Sequence, residues 1–554
     1  MRSKTFVIVL ALLAVWFAVP AGAASPPPVE LQILAINDFH GAIAPVPDQL
    51  WLSQPVGRAD FFASHIREAE EGVRNSVVVS AGDLIGASPL ISALFHDEPT
   101  IEAMNLIGLD IAGVGNHEFD EGPAELLRMQ EGGCHPIDGC LDGDGFAGAD
   151  FQYLAANVTV DATGETLFPP YVIENYQGVK VAFIGMTLEG TPTIVTPSAV
   201  AGLTFEDEVE TVNALIPELQ QMQVEAIVIL LHEGGFSEGG PEGDDCGGGL
   251  SDPLASIVNG FDDAVDLVIA GHVNDEFVCE VDGKWVTMAD NNGRLYTDID
   301  VTLDRRTKEL TVVSIDNVPT FQSQVEPAAD LTALIDEYNE LSAPLANEVI
   351  GSITADIPEI YNAAGEAAVG DVIADAQLAA TSDPASGGAV VAFMNPGGIR
   401  TSDGFIFAGS PVGEGDGNVT FGEAFAVQPF GNSLVTMTLT GAQIDALLEQ
   451  QFTAAGNTIL QVSEGFTYSW SASAPIGAKV DPASIMIGGT PIDLSASYRV
   501  TVNSFLADGG DGFTVLREGT DRLGGDVDLD ALVAYFGANS PVPPGPQDRI
   551  TQIA

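Results

Sequence analysis

Five short apolar runs punctuate the first part of the chain, and each stops at polar residues able to bind a cation. Residues 31–36 precede Asp38 and His40, 76–80 precede Asp83, and 111–114 precede Asn116 and His117; 226–231 precede His232, and 265–270 precede His272 and Asn274. Short apolar runs of this kind predict strands. Helical stretches and glycine-rich loops alternate with them over residues 29–325, which predicts α/β layering. In sheets with parallel strands, the residues just past the carboxyl ends converge on one rim, where ligands bind.

The pattern changes further along. Residues 301–318 read as strand, charged turn, strand, a hairpin closing the first domain. Residues 327–347 place Leu331, Leu334, Ile335, Tyr338 and Leu341 at helical spacing, which predicts an amphipathic linker helix. A second domain is expected over 348–550, opening with a helix near 370–380 and continuing as mixed strands and helices. The Gly/Asp-rich stretches 132–149 and 238–249 read as surface insertions.

The polar residues at the strand ends are carboxylates, amides and imidazoles, donors suited to hard or borderline divalent cations. Asp38-x-His40 would place two ligands on one side of an extended loop, and His272-x-Asn274 repeats that spacing. Gly82 lets the backbone turn before Asp83, whose two oxygens suit it to bridge two cations. A single His after a strand is commonly packed or solvent-facing, and an Asp there commonly caps a turn. The metal reading rests on five such ends in one domain, which hold four of the seven histidines. Two ions about 3.5–4 Å apart can activate water and clamp phosphoryl oxygens. His117 and Asp120, three residues apart, can meet on one helical face, and the carboxylate would then fix the imidazole's tautomer. The plainer alternative is a capping Asp beside an idle His.

Composition narrows the setting. With 79 acidic and 18 basic residues the formal net charge is −61, which argues against nucleic-acid or anionic-membrane partners. Arg2 and Lys4, the apolar run 6–19 and Ala21-Gly22-Ala23-Ala24 predict an export signal over residues 1–24; an uncleaved anchor is the alternative. After its cleavage no integral membrane segment is expected. Four cysteines in an exported chain predict two disulfides. Cys134 and Cys140 bracket one loop and Cys246 and Cys279 flank the segment before and after His272, though three pairings are open. The absence of a C-x-x-C pair weighs against zinc thiolate.

Together, Asn37-Asp38-Phe39-His40-Gly41, Ser80-Ala81-Gly82-Asp83, Gly115-Asn116-His117-Glu118-Phe119-Asp120, Leu231-His232-Glu233 and Gly271-His272-Val273-Asn274 resemble the 5′-nucleotidase family of calcineurin-like metallophosphoesterases. The likeness continues through Asn395-Pro396-Gly397-Gly398-Ile399-Arg400, Gln428-Pro429-Phe430-Gly431-Asn432 and 505–513. It implies a four-layer αββα metal domain followed by a smaller α+β substrate domain. One of two divalent ions (Zn, Mn or Co) would lie on Asp38, His40, Asp83 and Asn274, the other on Asp83, Asn116, His232 and His272. His117 with Asp120 would be the catalytic dyad. Arg400 would contact phosphate, Phe430 and Phe505 would sandwich a base, and Asn432 and Asp511 would hydrogen-bond base or ribose. The implied reaction is hydrolysis of a nucleotide's phosphate ester by metal-activated water, outside the cytoplasm, with a pivot near the linker helix. A cyclic-nucleotide phosphodiesterase/3′-nucleotidase, a UDP-sugar hydrolase or an inactive surface binding protein are the alternatives. Two departures bear on substrate: residues 362–366 hold no Arg where the family often has one, and Pro396 replaces a glycine.

Overall fold

The structure is a computed structural model that describes residues 27–553 apart from 45–53, 144, 197–198, 238–245, 247–248, 401–402, 410–412, 414 and 455. The expected export signal and most of the 238–249 insertion lie outside the described residues. No helix among the described residues is long and apolar enough to cross a membrane.

All five expected strands are present, as Val29–Ile36, Ser76–Ser80, Ile111–Gly113, Ala226–His232 and Leu267–Ala270. The first three run parallel side by side, with Gln152–Leu154 beyond them. The antiparallel pair Leu295–Leu303 and Leu310–Pro319 closes the other edge of this six-stranded sheet, as the expected hairpin. The remaining two belong to a second six-stranded sheet, parallel to each other and to the neighbouring strand Val179–Thr187.

Alternation explains why these strands read as unbroken apolar runs. Along Val29–Ile36, Leu31, Ile33 and Ala35 enter a core shared with Phe183, Val228 and Leu230 of the second sheet. Leu34 and Ile36 face the opposite way, onto Phe62 and Ile66 of helix Ala59–Ala69 and Ile101 of helix Glu98–Ile107. On the second sheet Ile227, Ile229 and Leu231 turn outward onto Val212, Ile216 and Leu219 of helix Glu208–Gln221. Each strand is thus covered on both faces, and the layers stack helix, sheet, sheet, helix.

The linker helix forms as Ala329–Ala346. Leu331, Ile335 and Tyr338 are buried in the same core as Phe62, with the Tyr338 ring edge-on to Phe95 at 4.8 Å. Arg67 makes a two-point ion pair with Asp330. The helix is therefore bound to the first body of the protein from Asp330 to Tyr338, while its end at Ala346 lies against Gly422 of the second body. The second body is α+β. Its five-stranded sheet is mixed, with Val391–Met394 parallel and Ser433–Thr440 antiparallel to Ser497–Asn503. Helices Ala368–Thr381 and Asp528–Asn539 contribute to one of its cores, and Gly441–Glu449 to another. The cysteines pair as Cys134–Cys140 and Cys246–Cys279.

Phe183 lies between the two sheets and is fully buried. Phe183→Ala should destabilise the chain by about 3–5 kcal/mol, since the cavity cannot collapse between two sheets. Val313→Ala, at an exposed position, should change stability by less than about 0.5 kcal/mol. Denaturant unfolding of both variants tests this.

Candidate active site

The carboxyl ends of the five strands meet where the two sheets face each other. Asp38, His40, Asp83, Asn116 and His232 are buried, His272 is half-buried, and Asn274 alone of the seven is exposed. Asp83 sits at the centre. Its Oδ2 is 3.1 Å from His232 Nε2 and 3.8 Å from His40 Nε2, so one oxygen faces imidazoles from both sheets. His232 Nε2 is 3.2 Å from Asn116 Oδ1, and His40 Nε2 is 3.8 Å from Asp38 Oδ1. Ligand atoms of Asp83, His232 and His272 lie within 4.8 Å of one another, as do those of His40, Asp83 and His117.

The surroundings aim these donors. His40 Nδ1 lies 3.0 Å from the Gly86 carbonyl and His232 Nδ1 lies 2.9 Å from the Ala81 carbonyl. A carbonyl only accepts, so each Nδ1 donates to it and each Nε2 is turned toward the centre; His40 Nε2 offers a lone pair there, while His232 Nε2 donates to Asp83 until a cation displaces its proton. Asp38 accepts the His272 N–H at 3.0 Å and the Asn37 side-chain amide at 2.7 Å. Asp83 Oδ1 accepts the His117 N–H at 2.9 Å, which leaves Oδ2 for the centre.

The loops are not extended, contrary to the expectation for Asp38-x-His40 and His272-x-Asn274. Asp38, His40, Asp83, His272 and Asn274 all have φ between 49° and 79°. These left-handed residues fold the chain tightly; Asp38, His40 and Asp83 turn their side chains inward, whereas that of Asn274 is exposed and is not brought into the cluster. Such conformations cost non-glycine residues free energy and cluster at functional sites. Glycines supply the room. A Cβ on Gly115 would lie 2.1 Å from Asp83 Oδ1, and one on Gly82 would lie 2.6 Å from the Gly115 nitrogen.

Electrostatics and donor chemistry both fit divalent cations. Burial pushes the Asp38 carboxyl up to about 7, against the pull of His232. Burial also raises Asp83, but His232 and His117 more than offset it and hold the carboxyl well below the usual range. Burial opposes a charge on His232 as well, yet Asp83 raises it to about 10. Burial lowers His40 to about 3 and His272 to about 4, keeping both as neutral donors. Carboxylates this deeply buried are stable as anions only beside positive charge, and neutral imidazoles with an amide oxygen complete a borderline-metal set.

His117 and Asp120 do meet. They lie on and just after the 3₁₀ turn His117–Phe119, ahead of helix Pro123–Glu131, with His117 Nδ1 2.8 Å from Asp120 Oδ2. Gly86 packs against this pair so closely that a Cβ there would be 2.6 Å from His117 Cβ. A cavity of about 220 Å³ opens beside them and is lined from both bodies of the protein. Asn116, His117, Asp120 and His272 form one side. Arg400, Phe430, Asn432, Phe505 and Asp511 all lie on the other. The Phe430 ring stacks on His117 with centroids 5.9 Å apart and planes 9° apart, and the Arg400 guanidinium sits 5.5 Å from the Phe430 ring centre. Phe505 lies against Gly510, where a Cβ would meet its Cζ at 2.4 Å. Asp511 accepts the Asn395 amide at 2.8 Å, and Ser504 donates to Asn432 at 2.9 Å.

Several contributors were not read from the sequence. Glu118 is buried and accepts the N–H groups of Asp83, Leu84 and Gly115 at 3.0, 2.8 and 2.7 Å. It joins two ligand loops, and its place between His117 and Asp120 was the available signal. Asn395 and Asn503 line the cavity beside Asp511, and Thr196 reaches it from a loop with no motif.

Both bodies of the chain are similar to known proteins. The calcineurin-like phosphoesterase family model matches residues 31–275, and that of the 5′-nucleotidase C-terminal domain matches residues 349–518. The chain is 33% identical over 92% of its length to the endonuclease YhcR of Bacillus subtilis, but spans only 39% of that protein. It is 31% identical to the cell wall protein Lmo0130 of Listeria monocytogenes, covering 97% of this chain and 71% of that one. The 5′-nucleotidase precursor of Thermus thermophilus superposes with a TM-score of 0.72 at 26% identity, over 95% of this chain and 99% of the other.

Glu118→Ala would leave three buried N–H groups without their acceptor. It should weaken metal retention about 10–100-fold, as loss of a supporting residue does. Metal content after dialysis, compared with wild type, checks this.

Proposed function

The chain belongs to the 5′-nucleotidase family of calcineurin-like metallophosphoesterases, and on that premise we propose that it hydrolyses the phosphate ester of nucleotides outside the cytoplasm, releasing nucleoside and phosphate. The observation that carries the reading is the shared cavity, lined by the His117–Asp120 pair, Asn116 and His272 from one body and by Arg400 and two phenylalanines from the other.

Asp38, His40, Asp83 and Asn274 would hold one divalent ion and Asp83, Asn116, His232 and His272 the other. Asp83 would serve both sets, a role supported by its Oδ2 lying within 3.8 Å of imidazoles from each. Zn²⁺, Mn²⁺ and Co²⁺ suit the donors. When bound, the pair supplies an activated water and positive charge for the phosphoryl oxygens.

The chain's own residues do the rest. Arg400 presents a planar fork to phosphate oxygens. Asp120 accepts from His117 Nδ1–H, which leaves Nε2 to hydrogen-bond the phosphoryl group or hand a proton to the departing ester oxygen. Phe430 and Phe505 offer ring faces to a base, a contact worth about 1–3 kcal/mol and tolerant of base identity. Asn432 and Asp511 provide hydrogen bonds to base or ribose.

The acidic surface disfavours a polyanionic substrate, so a mononucleotide is preferred over a nucleic acid despite the longer endonuclease relative. Export is supported by the signal pattern in residues 1–24, by two disulfides, and by likeness to a cell wall protein.

Phosphate release from AMP should be abolished by EDTA and restored by Mn²⁺ or Zn²⁺. Chelator-insensitive release, or none from any nucleotide, cyclic phosphate or UDP-sugar, would remove the reading. His117→Ala should lower kcat about 10²–10⁴-fold with metal content unchanged. Phe430→Ala and Phe505→Ala should raise KM for AMP by roughly tenfold, the loss expected of one stacked base, while leaving p-nitrophenyl phosphate nearly unaffected. Equal losses on both substrates would exclude a stacking role.

A further inference from the structure

A second cluster of imidazoles and carboxylates lies away from the strand ends. His96 sits between the helices Leu90–Ala93 and Glu98–Ile107, and His135 lies in the loop closed by the Cys134–Cys140 disulfide. Their rings stack with centroids 3.8 Å apart and planes 20° apart. Asp138, in the same disulfide loop, places Oδ2 3.1 Å from His96 Nε2 and 3.1 Å from His135 Nδ1. Ligand atoms of these three residues lie within 4.8 Å of one another. Two imidazole nitrogens from separate segments thus face one carboxylate oxygen.

The other side of His96 is also defined. Its Nδ1 lies 3.0 Å from Glu121 Oε2. A carboxylate accepts, so Nδ1 donates to Glu121; Nε2, 3.1 Å from the Asp138 carboxylate, donates there until a cation displaces its proton and takes its lone pair. A carboxylate behind an imidazole is the arrangement that fixes tautomer and ring direction in metal-binding histidines. The backbone contributes too. His96 and Asp97 are consecutive left-handed residues, with φ of 52° and 60°, a costly conformation for non-glycine residues.

We propose that His96, His135 and Asp138, with Glu121 behind His96, form a third divalent-cation site, of the zinc class, separate from the strand-end centre. Two imidazoles and a carboxylate match zinc's usual donors and leave one position for water. The strongly acidic surface raises the local concentration of divalent cations around it. His135 Nδ1 also accepts the Asp138 N–H at 3.2 Å, and its ring is stacked on His96, so binding exchanges that turn hydrogen bond for a metal bond and rotates one ring off the stack to bring both imidazole planes onto the ion. The site joins three segments: the turn at His96, the disulfide loop, and Glu121, which directly follows Asp120 of the dyad. Its consequence is structural, a clasp holding the 134–140 loop to the segment that carries the dyad.

The competing arrangement uses the same atoms without a cation: His96 protonated on both nitrogens and bridging Glu121 and Asp138. The two differ in metal count. The full chain would be loaded with Zn²⁺, desalted, and its zinc counted by mass spectrometry beside Asp138→Asn and His135→Ala. Asp138 is exposed on a disulfide-closed loop and its replacement is nearly isosteric, so circular dichroism should match wild type. Wild type should retain one more equivalent of zinc than either variant, and zinc should raise its thermal midpoint more than theirs. Equal zinc counts in all three proteins would overturn the proposal and assign the cluster to protonated hydrogen bonding.

Discussion

A carboxylate taken almost wholly out of water needs positive charge and directed donors around it, and the architecture of the first domain meets that need at Asp83. The residue is 1% exposed. It receives a backbone N–H on one oxygen and faces imidazoles from both sheets with the other. Two sheets packed face to face, with parallel strands ending at the same rim, bring those imidazoles within reach although His40 and His232 are far apart in sequence. Glu118 ties the Asp83 loop to the Gly115 loop, and glycines at 82 and 115 permit approaches that any side chain would block. Close packing of the β layers and the geometry of the centre are therefore one problem, since a shift of one sheet against the other would separate His232 from Asp83.

The second body completes what the first begins. The strand-end residues gather charge, and the aromatic faces suited to an organic group come from elsewhere. Phe430, Arg400 and Phe505 arrive from residues more than a hundred positions away from the last strand-end ligand and form the facing wall of the same cavity. The linker helix is bound into the first body through Leu331, Ile335 and Tyr338 and ends at Ala346, where the second body begins. The stacking of Phe430 on His117 joins the two bodies directly across the cavity.

Much of this was legible from pattern. Unbroken apolar runs ending in His, Asp or Asn located five strands of the two sheets, and burial on two faces is what removes polar alternation from them. Spacing suggested the His117–Asp120 pair, and the likeness of three later segments to known substrate domains pointed to Arg400, Phe430, Asn432, Phe505 and Asp511. Backbone conformation was not legible. Asp38 and His40 look like alternate residues of an extended loop, but both are left-handed, and residue type alone does not announce that choice. Glu118 was passed over because its work is done on backbone N–H groups, which carry no sequence signal. The His96–His135 stack was invisible for a similar reason: one member comes from a helix turn and the other from a loop that reads only as an insertion.

The claim on which the account stands is that Asp83 lies between two cation sites built from the five strand ends. Anomalous diffraction from crystals grown with Mn²⁺ measures this directly. The account predicts two strong peaks about 3.5–4 Å apart flanking the Asp83 carboxylate, one beside His40 and one beside His232 and His272. An Mn²⁺-saturated crystal with no peak at Asp83, and with His232 still hydrogen-bonded to it, would contradict it.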